Sequence, residues 1–442
     1  FEFNISRYET YFSERRPFFT EGGEIFMPAG RQQNTGFYTP LELFYPRRIG
    51  KVLPDGEFVP LLVGTKASGR AGGWEYGGFY ALTGQQDYRD DSLQMTEPQA
   101  HFLSARVRTQ ILDNSSLGVL FVGKQSADRA SGVVDIDGAF RGSTGQLSYQ
   151  LARSFRGATG DYAASAGYVS FGKSWVYLAR TRLVGPDFDV SDVGFVPWQG
   201  TGQVTILTGP TWYFDAGSLK SILTYAGGTV RYEHADLYAD RWLIAGLNMQ
   251  FRSNWGYEVN YSYGRSRDEG ATYANYELSV SSWFNVSPAW DANAWGGFSK
   301  TYNFSRGYPA PYGWLGAEVE WKASSILELG TSVNGYLEEN PAGEVENVTV
   351  NARPYFSLTP VNDLNLRVYV DHLYDKSSDK LERVLWGFLV GYNFAPKSWI
   401  YLALNEDRDR RTEYAASGAA LPQRLHTVNR VAVAKIKYLY YF

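Results

Sequence analysis

The sequence predicts an all-β fold: one closed antiparallel transmembrane β-barrel of about 22 strands, with 20 the next most compatible count. Three observations carry this. Apolar and polar residues alternate with a period of two over most of the 442 residues, aromatic residues reach 16%, and no apolar run approaches the roughly 18 to 20 residues a spanning helix needs.

The alternation can be written strand by strand. Tyr257, Val259, Tyr261 and Tyr263 share one face, and Glu258, Asn260 and Ser262 the other. Leu315, Ala317, Val319 and Trp321 oppose Glu318, Glu320 and Lys322. Leu364, Leu366, Val368 and Val370 oppose Asn365, Arg367, Tyr369 and Asp371. Successive side chains of a strand point to opposite sides, so each segment offers lipid one face and water the other. Averaged together, the two faces look soluble, which accounts for a mean hydropathy of −0.32 in a chain that spans a membrane. Within lipid, only a helix or a closed barrel satisfies every backbone polar group, and helical periodicity is nearly absent.

Turns set the strand count. Short polar breaks fall at Arg70–Gly73, Asp113–Ser116, Gly142–Gly145, Gly172–Ser174, Asp215–Ser218, Arg252–Asn254, Asn285–Ser287, Lys322–Ser325, Thr359–Asp363 and Ala395–Ser398. Longer polar connections lie between them at Val184–Gly200, Thr301–Pro311, Asp375–Lys380 and Arg408–Gln423. Short turns on one side and long loops on the other are the asymmetry of bacterial outer-membrane barrels. Ten turns join twenty strands. Arg430–Phe442 adds one, and Thr39–Pro46 is expected to supply the opening strand.

Tryptophans cluster beside the short turns, where an indole is half in lipid and its N–H is wet. Trp74, Trp175, Trp255, Trp283, Trp321 and Trp399, with Trp212 and Trp290, are expected to form the inner aromatic girdle. At the C-terminus, Ile436, Tyr438, Tyr440 and Phe442 share a face opposite Lys435 and Lys437. A last strand with aromatics at alternate positions and a terminal Phe resembles the insertion signal read by barrel-insertion machinery, here Tyr438, Tyr440 and Phe442. The expected location is the bacterial outer membrane, multi-pass. The chain opens at Phe1 rather than Met and carries no export signal, so upstream residues are expected to be missing.

Residues 1–58 read differently from the barrel expected over 59–442. Ser13-Glu14-Arg15-Arg16-Pro17-Phe18-Phe19-Thr20-Glu21-Gly22 and Phe44-Tyr45-Pro46-Arg47-Arg48-Ile49-Gly50 mix charge and aromatics without alternation. These two stretches, with Gly64-Thr65-Lys66-Ala67-Ser68-Gly69-Arg70-Ala71-Gly72-Gly73-Trp74-Glu75-Tyr76-Gly77-Gly78, resemble an outer-membrane β-barrel domain of unknown function. That domain usually follows a family-9-like carbohydrate-binding domain. The resemblance is strongest over residues 6–85 and implies a barrel. Sugar binding would belong to the upstream domain, and no functional residues come with the barrel. Physically, Arg15, Arg16, Arg47 and Arg48 need partners inside a lumen, and Glu14, Glu21 and Glu24 are the nearest candidates. The segment is expected to supply the first strand and either a lumen plug or constriction, through Arg15, Arg16, Glu21, Arg47 and Arg48, or a periplasmic collar.

Chemistry is sparse. Cysteine is absent, which removes disulfides, thiolate metal sites and Cys nucleophiles. His101, His234, His372 and His426 are scattered and fit no nucleophile motif, so no enzyme and no catalytic residue is expected. The acids Asp187, Asp189 and Asp192, and Glu406, Asp407 and Asp409, match no defined calcium loop; solvated acidic loops are expected, with no metal and no cofactor. With 42 basic and 46 acidic residues, nucleic acid is not an expected partner. Expected partners are outer-membrane lipid, the insertion machinery, and a periplasmic or surface protein in one of two readings. The first reading is a polar channel for hydrophilic solutes lined by Glu258, Glu318, Glu320, Arg367 and Asp371. The alternative is a plugged, non-conducting barrel that anchors or scaffolds a periplasmic, surface or exported partner.

Overall fold

A computed structural model of the chain describes residues 3–30, 36–90, 93–377, 379–411 and 424–438. Its strands are β1 (Leu61–Ala71), β2 (Trp74–Thr83), β3 (Gln86–Asp90), β4 (Leu93–Glu97), β5 (Ala100–Ile111), β6 (Ser115–Ser126), β7 (Ala130–Arg141) and β8 (Gly145–Arg156). There follow β9 (Tyr162–Phe171), β10 (Trp175–Val184), β11 (Thr201–Tyr213), β12 (Leu219–Glu233), β13 (Ala239–Phe251), β14 (Trp255–Asp268), β15 (Ala271–Ser287) and β16 (Trp290–Asn303). The last are β17 (Tyr308–Lys322), β18 (Leu327–Glu339), β19 (Val345–Val361), β20 (Leu364–Asp375), β21 (Lys380–Ala395), β22 (Ser398–Arg411) and β23 (Arg424–Lys437). β3 and β4 form a separate hairpin in the β2–β5 connection, and the other 21 strands make one antiparallel sheet in which each pairs with the next. No helix among the described residues is long and apolar enough to cross a membrane.

The two faces of this sheet are inverted relative to a soluble protein. Leu103, Val107, Val134, Ile136, Leu151 and Tyr177 are exposed, while the alternating Ser104, Arg106, Asp135, Asp137, Gln150 and Ser165 are buried. A water-soluble sheet buries its apolar face and wets its polar one; here the greasy side is the uncovered one.

Among the described residues of 3–60 there is no strand, which corrects the expectation for Thr39–Pro46. That stretch makes a single bridge, Glu42 with Phe195, and buries Leu41 and Leu43 against the polar side of the sheet. The segment holds a short helix, α1 (Pro17–Thr20), and two 3-10 turns, Gly23–Phe26 and Pro46–Arg48. Its backbone is received by inner-face side chains. The Ala29 amide donates to Asp137 at 2.5 Å, the Leu41 amide to Gln150 at 2.7 Å, and Arg180 donates to the Phe37 carbonyl at 3.1 Å. Farther round, the Phe304 amide donates to the Ile5 carbonyl at 2.8 Å and Phe3 stacks on Tyr336 at 4.4 Å. One segment therefore touches strands from both halves of the sheet, so the sheet curls around it.

The curl brings the two edge strands to the same residue. Lys66 of β1 donates to the Glu21 carbonyl, and Lys437 of β23 pairs with the Glu21 carboxylate at 3.0 Å. No hydrogen-bonded ladder joins β1 to β23 among the described residues, so the expected closed sheet is seen as a curled meander with adjacent edges. Tyr440 and Phe442 of the expected insertion signal lie outside the described residues; Tyr438 is exposed on the apolar face with Ile436.

All ten short breaks read from the sequence fall at connections on one end of the sheet. The other end is less uniform than expected. It carries the β3–β4 hairpin and the 185–200 loop, but also the two-residue connection Glu269–Gly270. Of the eight tryptophans expected in the girdle, six, Trp74, Trp175, Trp212, Trp255, Trp290 and Trp321, lie on the outer face near short turns, where Trp321 stacks on Trp290 at 5.4 Å. Trp283 and Trp399 do not. Each falls at an inner-face position: Trp283 covers Gly256 beside Glu258, and Trp399 stacks on Tyr401 at 5.8 Å. Closeness to a turn fixes depth, whereas the side is fixed by register, and one residue of offset reverses it.

Candidate functional site: a filled wall and an open polar cavity

The inner face divides into two parts with different chemistry. Along β2 to β10 it is covered, except at the short-turn end, where a space of about 730 Å³ is lined by Arg70, Glu75, Arg108 and Arg141, among others. Phe19, Phe26, Leu41, Leu43 and Ile49 of the N-terminal segment pack with Phe188, Val190, Val193 and Val196 of the 185–200 loop over Phe79, Phe102, Leu120, Val122 and Val133 of the strands. These strand residues are apolar on the inner side because other chain covers them, so alternation there is weak on both faces. The loop is held by charge as well. Asp189 pairs with Arg156, and Asp192 accepts from Ser131 at 2.9 Å and lies 3.3 Å from Arg129 and 3.6 Å from Lys124. Burial pushes the Asp192 carboxyl up, but Lys124, the Ser131 hydroxyl, Arg129 and Arg156 outweigh it and hold the group below the usual range. Two of the three acids weighed as calcium ligands are thus taken by basic side chains.

The arginines expected to form a constriction are used locally. Arg16 pairs with Glu14 at 2.7 Å and donates to the carbonyls of Ile49 at 2.7 Å and Pro46 at 2.8 Å. Arg48 pairs with Glu9 at 2.6 Å and donates to the Gly194 carbonyl at 3.1 Å, and Arg47 donates to the Ser13 carbonyl at 3.0 Å. Arg15 is exposed, its backbone amide donating to Glu14 at 2.9 Å. Glu21 serves Lys437 rather than an arginine, and that hydrogen bond holds its carboxyl below the usual range. Arg16, Arg47 and Arg48 fasten the segment to itself, and Arg48 also fastens it to the 185–200 loop.

Along β16 to β21 the inner face is open. A cavity of about 650 Å³ is lined there by Asp291, Glu318, Glu320, Arg353, Tyr355, Arg367 and Tyr369, among others. A second, of about 370 Å³, shares Asp291 and Glu320 and continues toward the short-turn end at Asn254, Ser287 and Lys322. The strand register sets this wall. Ser332 and Arg353 are cross-strand partners, as are Gly330 and Tyr355, then Tyr355 and Tyr369, and Ser357 and Arg367. Each tyrosine ring lies across a glycine of the next strand, Tyr355 over Gly330 and Tyr369 over Gly387, where a Cβ would collide with the ring. The arginines then lie on the rings: Arg367 is 3.9 Å from the Tyr355 centroid and Arg353 4.3 Å from that of Tyr369. Tyr355 donates to Glu320 at 2.9 Å. Among the described residues, no ion pair engages Glu318, Arg353 or Arg367.

The five lumen-lining residues expected from sequence, Glu258, Glu318, Glu320, Arg367 and Asp371, all occupy inner-face positions. Glu318, Glu320 and Arg367 meet at the cavity of about 650 Å³. Glu258 is set apart among amides, accepting from Asn248 and Asn260 at 2.9 Å each, and Asp371 accepts from Asn351 at 2.5 Å. The sequence places Tyr369 on the polar face with Arg367 and Asp371, but does not single out Arg353 and Tyr355. The signal for them was the same parity that placed Arg367 and Asp371 inside, continued one strand earlier.

Comparison with known proteins adds the following. A family model described as a domain of unknown function, DUF5916, matches residues 1–87. No curated protein matches the chain. Among solved structures, the ferric citrate transporter FecA is similar at 10% identity and a TM-score of 0.47, with 82% of this chain and 66% of that one covered. The FrpB iron transporter from Neisseria meningitidis gives 9%, 0.45, 84% and 71%, and a porin of Rh. blastica 11%, 0.30, 85% and 100%. The chain spans about two thirds of the length of FecA, and 63% of FpvA of P. aeruginosa.

Proposed function

We propose that this chain is a bacterial outer-membrane β-barrel that admits small hydrophilic solutes along its β16–β21 wall, with residues 3–30 and 36–60 and the 185–200 loop filling the opposite side as a fixed internal plug. The inverted faces of the sheet support the membrane setting. An exposed apolar surface repeated on strand after strand suits lipid, and the curled sheet with adjacent edges suits a barrel closed between β1 and β23.

The single observation that carries the passage is the contrast in charge pairing. On the filled wall Arg106 pairs with Asp137 at 2.6 Å with both fully buried, and Arg180 and Arg182 of β10, which meet no acid among the described residues, are packed against the Phe37 and Trp198 rings. On the open wall Glu318, Arg353 and Arg367 face a cavity with no counter-ion among the described residues. Charges left unpaired keep their hydration, so water and polar solutes belong there. Purified protein reconstituted into planar bilayers is expected to give stable conductance steps. Silence over a wide voltage range refutes the passage.

The packed core inside the sheet favours a second reading, a sealed barrel that anchors a partner protein. Silence in bilayers together with a stoichiometric partner retained from native membranes would select it.

A further inference from the structure

Arg180 and Arg182 take successive inner-face positions on β10, with Ser165 of β9 and Gln203 of β11 directly beside Arg182. Both guanidiniums are half-buried, and among the described residues neither has a carboxylate within ion-pair distance. Arg180 reaches the Phe37 carbonyl at 3.1 Å and lies 5.0 Å from the Phe37 ring. Arg182 lies 3.8 Å from the Trp198 ring centroid, and its Nε is shut away from solvent with no acceptor. Nearby arginines are treated differently: Arg231 pairs with Asp240 at 2.5 Å, and Arg156 with Asp189.

Two neighbouring like charges withdrawn from water are unfavourable unless something neutralises them, and stacking on aromatic rings offsets only part of that cost. Between them is a partly open space of about 60 Å³ lined by Tyr38, Thr39, Ser165, Arg180, Arg182 and Gln203. The lining offers guanidinium N–H groups, the Gln203 amide and hydroxyls, and it contains no acid. The space exceeds several times what one water needs and is far too small for a sugar or nucleotide.

We propose that this cavity binds one small oxyanion, either a tetrahedral inorganic anion or the carboxylate of a small organic acid, held by Arg180, Arg182 and Gln203. Bound there, the anion fastens residues 37–39 of the N-terminal segment to β9, β10 and β11. The site is separate from the open cavity and does not depend on conduction.

The test uses the full chain in detergent at constant ionic strength, with thermal unfolding and titration calorimetry against inorganic phosphate, sulfate and acetate in turn. A ligand that binds only the folded state raises the unfolding temperature in a saturable way. Saturable stabilisation by phosphate or sulfate assigns a tetrahedral anion; stabilisation by acetate alone assigns a carboxylate. Either outcome should come with about one equivalent bound, and Arg182→Gln should weaken the affinity roughly ten-fold or more, the loss of a charge-assisted hydrogen bond. Gln203→Leu, which keeps both charges, should weaken it less, and Lys220→Gln at the exposed start of β12 should leave it unchanged. No saturable binding of any of the three anions to the native protein overturns the proposal, as does affinity unchanged in both the Arg182 and Gln203 variants.

Discussion

The side-chain amide of Gln150 completes both backbone hydrogen bonds of Leu41, accepting from its amide at 2.7 Å and donating to its carbonyl at 3.2 Å. Leu41 is fully buried, so neither group has water as a substitute. An inner-face side chain here does what a neighbouring strand would otherwise do. It explains how a segment without strand pairing lies fixed inside a sheet.

Gln150→Leu should therefore loosen the segment while leaving the strands intact. Orphaning a buried donor and acceptor costs roughly 1 to 3 kcal/mol, which predicts faster hydrogen exchange at residues 37–45 and little change in β-sheet circular dichroism. Unchanged protection at Leu41 would mean that Gln150 does not hold the segment.

Phe188 anchors the 185–200 loop, with no exposed surface. Phe188→Ala removes a large buried ring and should cost about 3 to 5 kcal/mol locally. The loop should become a site of limited proteolysis in folded protein. A loop that stays resistant argues that its charged contacts, rather than its apolar ones, keep it in place.

Acid should release the same loop. Asp192 has a depressed folded pKa, and so does Asp189, whose burial is outweighed by hydrogen bonds from Ser191 and by Arg156. Groups of this kind stabilise docking above the unfolded carboxylate value, near 3.8 for Asp, and lose that contribution as pH falls through the depressed folded value. Exchange or proteolysis of the loop should be flat from neutral pH to about pH 4 and rise below it. A rise centred near pH 6 would point to a different group.

On the open wall, Arg367→Glu should change ion selectivity without changing the fold, because the guanidinium rests on Tyr355 and has no acidic partner among the described residues. Exchanging one charge beside a wet passage alters ion free energy by about 1 kcal/mol, so the potassium-to-chloride permeability ratio should rise a few-fold toward cations. A reversal potential unchanged under a salt gradient would place Arg367 off the ion path.

Charge reversal at Glu21 tests the meeting of the sheet edges. Its pair with Lys437 is largely exposed and weak alone, but Glu21→Lys would place a third cation between Lys66 and Lys437. The folded species should unfold at a lower temperature in detergent gels than Glu21→Gln, which only removes the attraction. Equal behaviour of the two variants would separate Glu21 from the seam.

Much of this architecture was legible in the sequence where one face meets lipid and the other water. The strands carrying Leu315 to Trp321 and Leu364 to Val370 read directly, and their parity placed Glu318, Glu320 and Arg367 at the cavity. The sequence was least legible where chain covers chain. Phe79, Phe102 and Leu120 are apolar on the inner side, so alternation could not say which face was in. Thr39–Pro46 has strand-like residues, yet its hydrogen bonds go to side chains such as Gln150, a long-range choice that local pattern does not encode. Trp283 and Trp399 failed for the complementary reason, since nearness to a turn carries no information about side.

The central claim is that water and solute run beside β16–β21 while the opposite wall is sealed. It is tested most directly by single cysteines, because the chain has none of its own. Ser332→Cys, paired across strands with Arg353, should react with a membrane-impermeant thiol reagent in reconstituted protein and reduce the conductance steps; Ser104→Cys, fully buried on the covered wall, should stay unmodified until the protein is unfolded. Equal reactivity at the two positions, or a conductance indifferent to modification at position 332, would contradict the account.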